Sequence, residues 1–113
     1  MENLKRNPQK LIEGFINAQS LGHELDNRTQ KAYRLDLEHF YKWVHEKNND
    51  DFEHISNNEW ETKMEAYLQY LFMEKGLRPS TVIRKYRVFG YYLSYLVRQG
   101  VLLDYRPLKL QKV

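Results

Sequence analysis

An all-α fold, with four helices making one small bundle, is predicted for this sequence by three observations. Its apolar residues recur at three- and four-residue intervals, alternation with a period of two is weak throughout, and its three prolines stand at the boundaries of the periodic stretches. With 42% apolar and 29% charged residues in 113, the composition is that of a folded globular chain, long enough to bury one core and too short for two.

Pro8 suits a first helical turn, and Leu11, Ile12, Phe15 and Ile16 then form an apolar stripe that runs out near Leu21 and Gly22. A second helix starts around Asn27, whose side chain is a candidate cap, with Gln30 three residues later completing a capping-box pattern. Tyr33, Leu37, Phe40 and Val44 line one side of it to about Lys47. Residues 48–58, NNDDFEHISNN, mix turn formers with acidic groups and read as a loop, Phe52 and Ile55 tucking it onto the core and Asn57 or Asn58 capping a third helix. In that helix Trp60, Met64, Tyr67, Leu68, Leu71 and Phe72 keep helical spacing until Gly76 stops it. The fourth begins near Pro79 and ends at Gly100. At about 100° per residue, its Val82, Tyr86, Phe89, Leu93 and Leu96 share one side, with Ser80, Arg84, Arg87 and Tyr91 opposite. The closing VLLDYRPLKLQKV reads as an extended tail, barred from helix by Pro107 and expected to fray for want of packing partners.

The net charge of +3 conceals a division along the chain. Residues 1–47 hold eight Lys/Arg against seven Asp/Glu, residues 48–75 two against seven, and residues 76–113 eight against one, so the balances are +1, −5 and +7. A field of that shape draws a polyanion to one end, which is the footprint of a nucleic-acid binder, although a basic helix is often only solvated. The absence of cysteine excludes disulfides and thiolate metal sites and fits a reducing compartment. Neither a long apolar run nor an apolar leader is present, so the expectation is a cytoplasmic protein with no membrane association.

Two segments carry a family resemblance. Asn27-Arg28-Thr29-Gln30-Lys31-Ala32-Tyr33-Arg34-Leu35-Asp36-Leu37, followed by Phe40 and Trp43, resembles the line that opens the core-binding domain of tyrosine recombinases, the phage-integrase type. Leu68 and Leu71, then Gly76-Leu77-Arg78-Pro79-Ser80-Thr81-Val82-Ile83-Arg84-Lys85, are similar to that domain's second signature, and Leu93, Leu96, Gly100 and Pro107 fall where its last helix ends. The resemblance covers Leu11 to Pro107, with one departure: Arg78 stands where family members often have a small polar cap. It implies a four-helix orthogonal bundle of the SAM-like kind over residues 1–107, with residues 108–113 starting a linker toward a catalytic domain outside this chain. It further implies double-stranded DNA, that catalytic domain and other recombinase protomers as partners, and a role in site-specific recombination or DNA integration.

That chemistry would use an Arg, Lys, His, Arg constellation and a nucleophilic tyrosine in the other domain, and this chain has no His-x-x-Arg segment. A tyrosine with a pKa near 10 attacks phosphate poorly without cations to stabilise the developing charge, and Tyr33, Tyr67 and Tyr86 lie on apolar stripes, so none is assigned as catalytic. His23, His39, His45 and His54 share no i, i+4 pairing and no cysteine, so no metal or other cofactor is expected. The charges do not converge on the acid, base and nucleophile set that a small helical enzyme needs. The candidate DNA contacts are Ser80, Thr81, Arg84, Lys85 and Arg87 in the fourth helix, Arg84 foremost for reading bases, and Arg28, Thr29 and Lys31 at the start of the second, which the resemblance sets against the same DNA. Arg106, Lys109 and Lys112 add to the basic end. A competing reading is a helical protein-interaction module of the same fold, which exposed Tyr91 and Tyr95 would suit.

Overall fold

The computed structural model describes residues 7–22, 24–48 and 59–110. Among them are four α-helices and no strand: α1 (Pro8–Gly22), α2 (Asn27–Asn48), α3 (Trp60–Met73) and α4 (Pro79–Arg98). The expectations for Phe52, Ile55, Asn57 and Asn58 fall outside the described residues. Two units divide the chain, Met1–His54 and Ile55–Val113, each built on one pair of helices.

In the first unit α1 starts where Asn7 accepts the Lys10 amide on its Oδ1 at 3.0 Å, with Pro8 in the first turn. Leu11, Ile12, Phe15 and Ile16 are buried, as the stripe requires. On α2 the buried line is Leu37, Phe40, Tyr41 and Val44, while Tyr33 is half-buried and stacks on Phe15 with ring centroids 6.2 Å apart. A bidentate ion pair ties the two helices, Arg34 donating from Nε and Nη2 to the Glu13 carboxylate at 2.6 and 2.9 Å. The fork geometry adds direction as well as energy to the packing, and the Arg34 hydrogen bonds hold the Glu13 carboxyl below its ordinary range.

The second unit joins α3, α4 and the segment after them. Trp60, Met64, Tyr67, Leu68 and Leu71 are buried on α3, and Val82, Val88, Phe89, Tyr92, Leu93, Tyr95 and Leu96 on α4. Aromatic rings hold the two helices together: Tyr67 against Phe89 at 6.0 Å and Trp60 edge-on to Tyr92 at 6.5 Å. Such pairs contribute about 0.5–1.5 kcal/mol beyond the area they bury. Tyr86 is half-buried.

Both helix C-termini in this unit are followed by a glycine in the left-handed region, a conformation that side chains with a Cβ avoid. Gly76, at φ 68°, turns the chain out of α3, so that the Leu77 amide reaches the Leu71 carbonyl. At Gly100, φ 75°, the Val101 amide bonds the Leu96 carbonyl at 2.9 Å and the Gly100 amide the Val97 carbonyl at 3.0 Å. This paired closure, with Val101 and Leu96 both buried, is a Schellman motif.

The tail departs from its expected fraying. Residues 101–110 are not helical, yet Val101, Leu102 and Leu108 are buried and the segment is strapped to α3. Arg106 forks onto Glu65 at 2.6 and 2.9 Å, its amide donates to the buried Glu61 at 3.0 Å, and the Lys109 amide donates to Glu65 at 2.6 Å. Pro107 removes the helical option, and two acids one helical turn apart on α3 supply acceptors for the extended backbone.

Replacing Phe89 by Ala is expected to lower the unfolding free energy by about 3–5 kcal/mol, read from urea melts; a loss under about 1 kcal/mol would place Phe89 outside the core. The strap is expected to weaken in acid. The Arg106 hydrogen bonds hold the Glu65 carboxyl below its ordinary range. Its contribution is therefore present in full above the unfolded pKa of about 4.3 and is lost as pH falls through the lower folded value. Hydrogen exchange at the Lys109 amide, which donates to Glu65, should accelerate over that window once corrected for intrinsic rates, and in Glu65→Gln that pH dependence should disappear.

Candidate nucleic-acid interface

Burial of so much of α4 determines which of its residues face outward. Counting about 100° per residue, the buried side chains span the arc from Tyr95 and Val88 through Phe89 to Leu93, and the opposite line holds Ser80, Arg84, Arg87, Tyr91, Ser94 and Arg98, spaced four, three, four, three, four. Ser80, Arg84, Arg87, Tyr91 and Arg98 are exposed and Ser94 is partly covered. The helix has no Asp or Glu, so its four cations, Arg84, Lys85, Arg87 and Arg98, meet no carboxylate on α4 itself. Its first turn follows Arg78 in extended conformation, with no side-chain cap and Pro79 at the first position.

The structure thus gathers Ser80, Arg84 and Arg87 on one line and separates Thr81 and Lys85 from it. Those two sit about 100° and 140° round the helix from Ser80, in the sector of Val88 and Tyr92, and both are half-buried. Tyr95 also parts from the expectation of an exposed ring. It is 7% exposed and stacks on Tyr92 at 6.4 Å, because the buried arc is wider than the stripe read from sequence and takes in position 95. Burial raises its phenol pKa, with Arg98 opposing.

At the start of α2, Arg28 and Lys31 are exposed and Thr29 is partly covered. The cap is Asp26, one residue before the expected Asn27: its Oδ1 accepts the Thr29 amide at 2.7 Å, and the Gln30 side chain bonds back to the Leu25 carbonyl at 2.9 Å. Hydrogen bonds from the Thr29 amide and side chain lower the Asp26 pKa. A carboxylate thus already occupies the place where an anion would meet these first-turn amides, and Thr29 serves the cap. Arg28 and Lys31 keep the exposure a phosphate contact needs.

Arg106 leaves the set of cations available to a polyanion, because Glu65 neutralises it, and Lys112 lies outside the described residues. Among the described residues no three His, Cys, Asp or Glu side chains converge in a group able to hold a metal ion, and no helix is long and apolar enough to cross a membrane. The second unit also has an open cleft of about 950 Å³, lined in part by Leu68, Phe72, Met73, Val82, Ile83 and Leu110. In comparisons with known proteins the chain matches no family model, no curated protein and no solved structure.

The Asp26 cap makes its own prediction. In a proton NMR titration the Thr29 amide should shift with a midpoint below the ordinary aspartate value of about 3.9, and the first turn of α2 should lose protection below that midpoint. An unshifted midpoint would mean that Asp26 does not cap the helix.

Proposed function

We propose that this chain is a non-catalytic DNA-binding module, the core-binding domain of a tyrosine recombinase. In this reading it is a SAM-like orthogonal bundle that covers one face of duplex DNA during site-specific recombination or integration. Cleavage belongs to a separate catalytic domain. The observation that carries the reading is the outward line of α4, where Ser80, Arg84 and Arg87 stand together on a helix with four cations and no carboxylate. Phosphate contacts fix a protein's position on the duplex, and an arginine fork can read guanine in the major groove. Arg28 and Lys31, exposed on α2, serve as additional phosphate contacts in this reading.

A second reading, a helical protein-interaction module, draws support from the apolar cleft, beside which Met73 is 57% exposed. It loses the support of Tyr95, which is buried. Salt separates the two readings. Phosphate binding releases counterions and steepens the log-affinity slope by about 0.9 per phosphate neutralised, whereas burial in an apolar cleft is far less salt-dependent.

Fluorescence anisotropy with a labelled duplex at several salt concentrations should show saturable binding in the range of about 10⁻⁴ to 10⁻⁶ M. Reversing Arg84 and Arg87 to Glu should weaken it without loss of helix, since exposed substitutions away from special features usually change stability by less than about 0.5 kcal/mol. Unchanged DNA binding by the folded double variant would sink the proposed surface.

A further inference from the structure

The outward line of α4 does not stop at Arg87. It runs to Arg98 through Tyr91, a residue that is 48% exposed, and at about 1.5 Å per residue it is about 27 Å long from Ser80. A helix entering a groove end-on needs polar residues only in its first turns, whereas here the outward face remains open over five turns. A straight helix laid lengthwise in the major groove, which is about 12 Å wide, comes nearest the bases at its middle and nearest the backbone at its ends, because the groove curves away beneath it. The middle of this line is flanked by Arg87 and Tyr91, and its ends are Ser80 and Arg98.

We propose, resting on the DNA reading above, that Tyr91 and Arg98 complete the DNA surface of α4, Tyr91 as a non-ionic contact to base edges and Arg98 as a phosphate contact at the far end. The phenol suits its place: its ring face packs on apolar base atoms such as the thymine methyl, and its hydroxyl gives and accepts hydrogen bonds. A single-stranded ligand is less well matched, because stacking platforms set several aromatics in succession, and Tyr91 is the one aromatic on this line. The two residues differ in kind, so they leave different signatures in a salt series.

The test compares wild type, Tyr91→Ala, Tyr91→Gln, Arg98→Gln and Arg84→Gln on one labelled mixed-sequence duplex and on its single strand, with helical content checked by circular dichroism. Arg98→Gln should make the salt slope shallower by about 0.9, as Arg84→Gln should. Tyr91→Ala and Tyr91→Gln should bind about tenfold more weakly, equivalent to about 1.4 kcal/mol, with the slope unchanged. If Arg84→Gln weakens binding while the Tyr91 and Arg98 variants match wild type, the contact ends at Arg87 and this proposal fails alone. Absence of duplex binding by wild type, or no effect of Arg84→Gln, overturns the DNA reading and the proposal with it. Equal binding of the single strand would overturn the groove placement.

Discussion

The packing of α4 against α3 through Phe89, Tyr92, Tyr67 and Trp60 is the constraint on which the candidate surface depends. Seven buried side chains on α4 leave little rotational freedom, because turning the helix by one residue, about 100°, would carry Arg84 or Arg98 toward the core. Burying a guanidinium costs several kcal/mol in desolvation even after relaxation, so the core determines the aim of the basic line. The cations on that line need no structural role of their own in order to be well placed.

Ion pairing then sorts the remaining positive charge. Arg34 and Arg106 each close a fork on a glutamate, and each ties a helix to a neighbouring element of its own unit. A sum of charges along the sequence counts both as positive, yet a neutralised guanidinium releases far less counterion and offers a phosphate little. The strap on α3 also makes residues 101–110 part of the second unit's packing, since Leu108 is buried and Glu65 accepts from both the Arg106 side chain and the Lys109 backbone. In a longer protein, a linker continuing from this segment would leave from a point anchored on α3.

Helix starts show a related division of labour. Asn7 and Asp26 satisfy amides at the heads of α1 and α2, and α4 opens on Arg78 and Pro79 with no side-chain acceptor. The head of α2 carries its own negative charge and the head of α4 does not. Under the DNA reading, α2 contributes exposed cations and α4 contributes the longer contact line.

Much of this was legible from local pattern alone. The residues Pro8, Gly22, Pro79 and Gly100 marked helix limits, and the spacing of Leu11 to Ile16 and of Trp60 to Leu71 marked buried faces, because backbone geometry and helical periodicity are properties of neighbouring residues. The line of Ser80, Arg84, Arg87 and Tyr91 was visible for the same reason. Burial of Tyr95, the turning of Thr81 and Lys85 toward the packed side, the pairing of Arg106 with Glu65 and the docking of Leu108 were not. Each depends on how wide a face the partner helix covers, or on a group some forty residues away in the chain. Local pattern set where helices form and which residues are candidates to face outward; tertiary packing set how much of each face remains open and which charges are neutralised, because those quantities belong to pairs of elements rather than to either one.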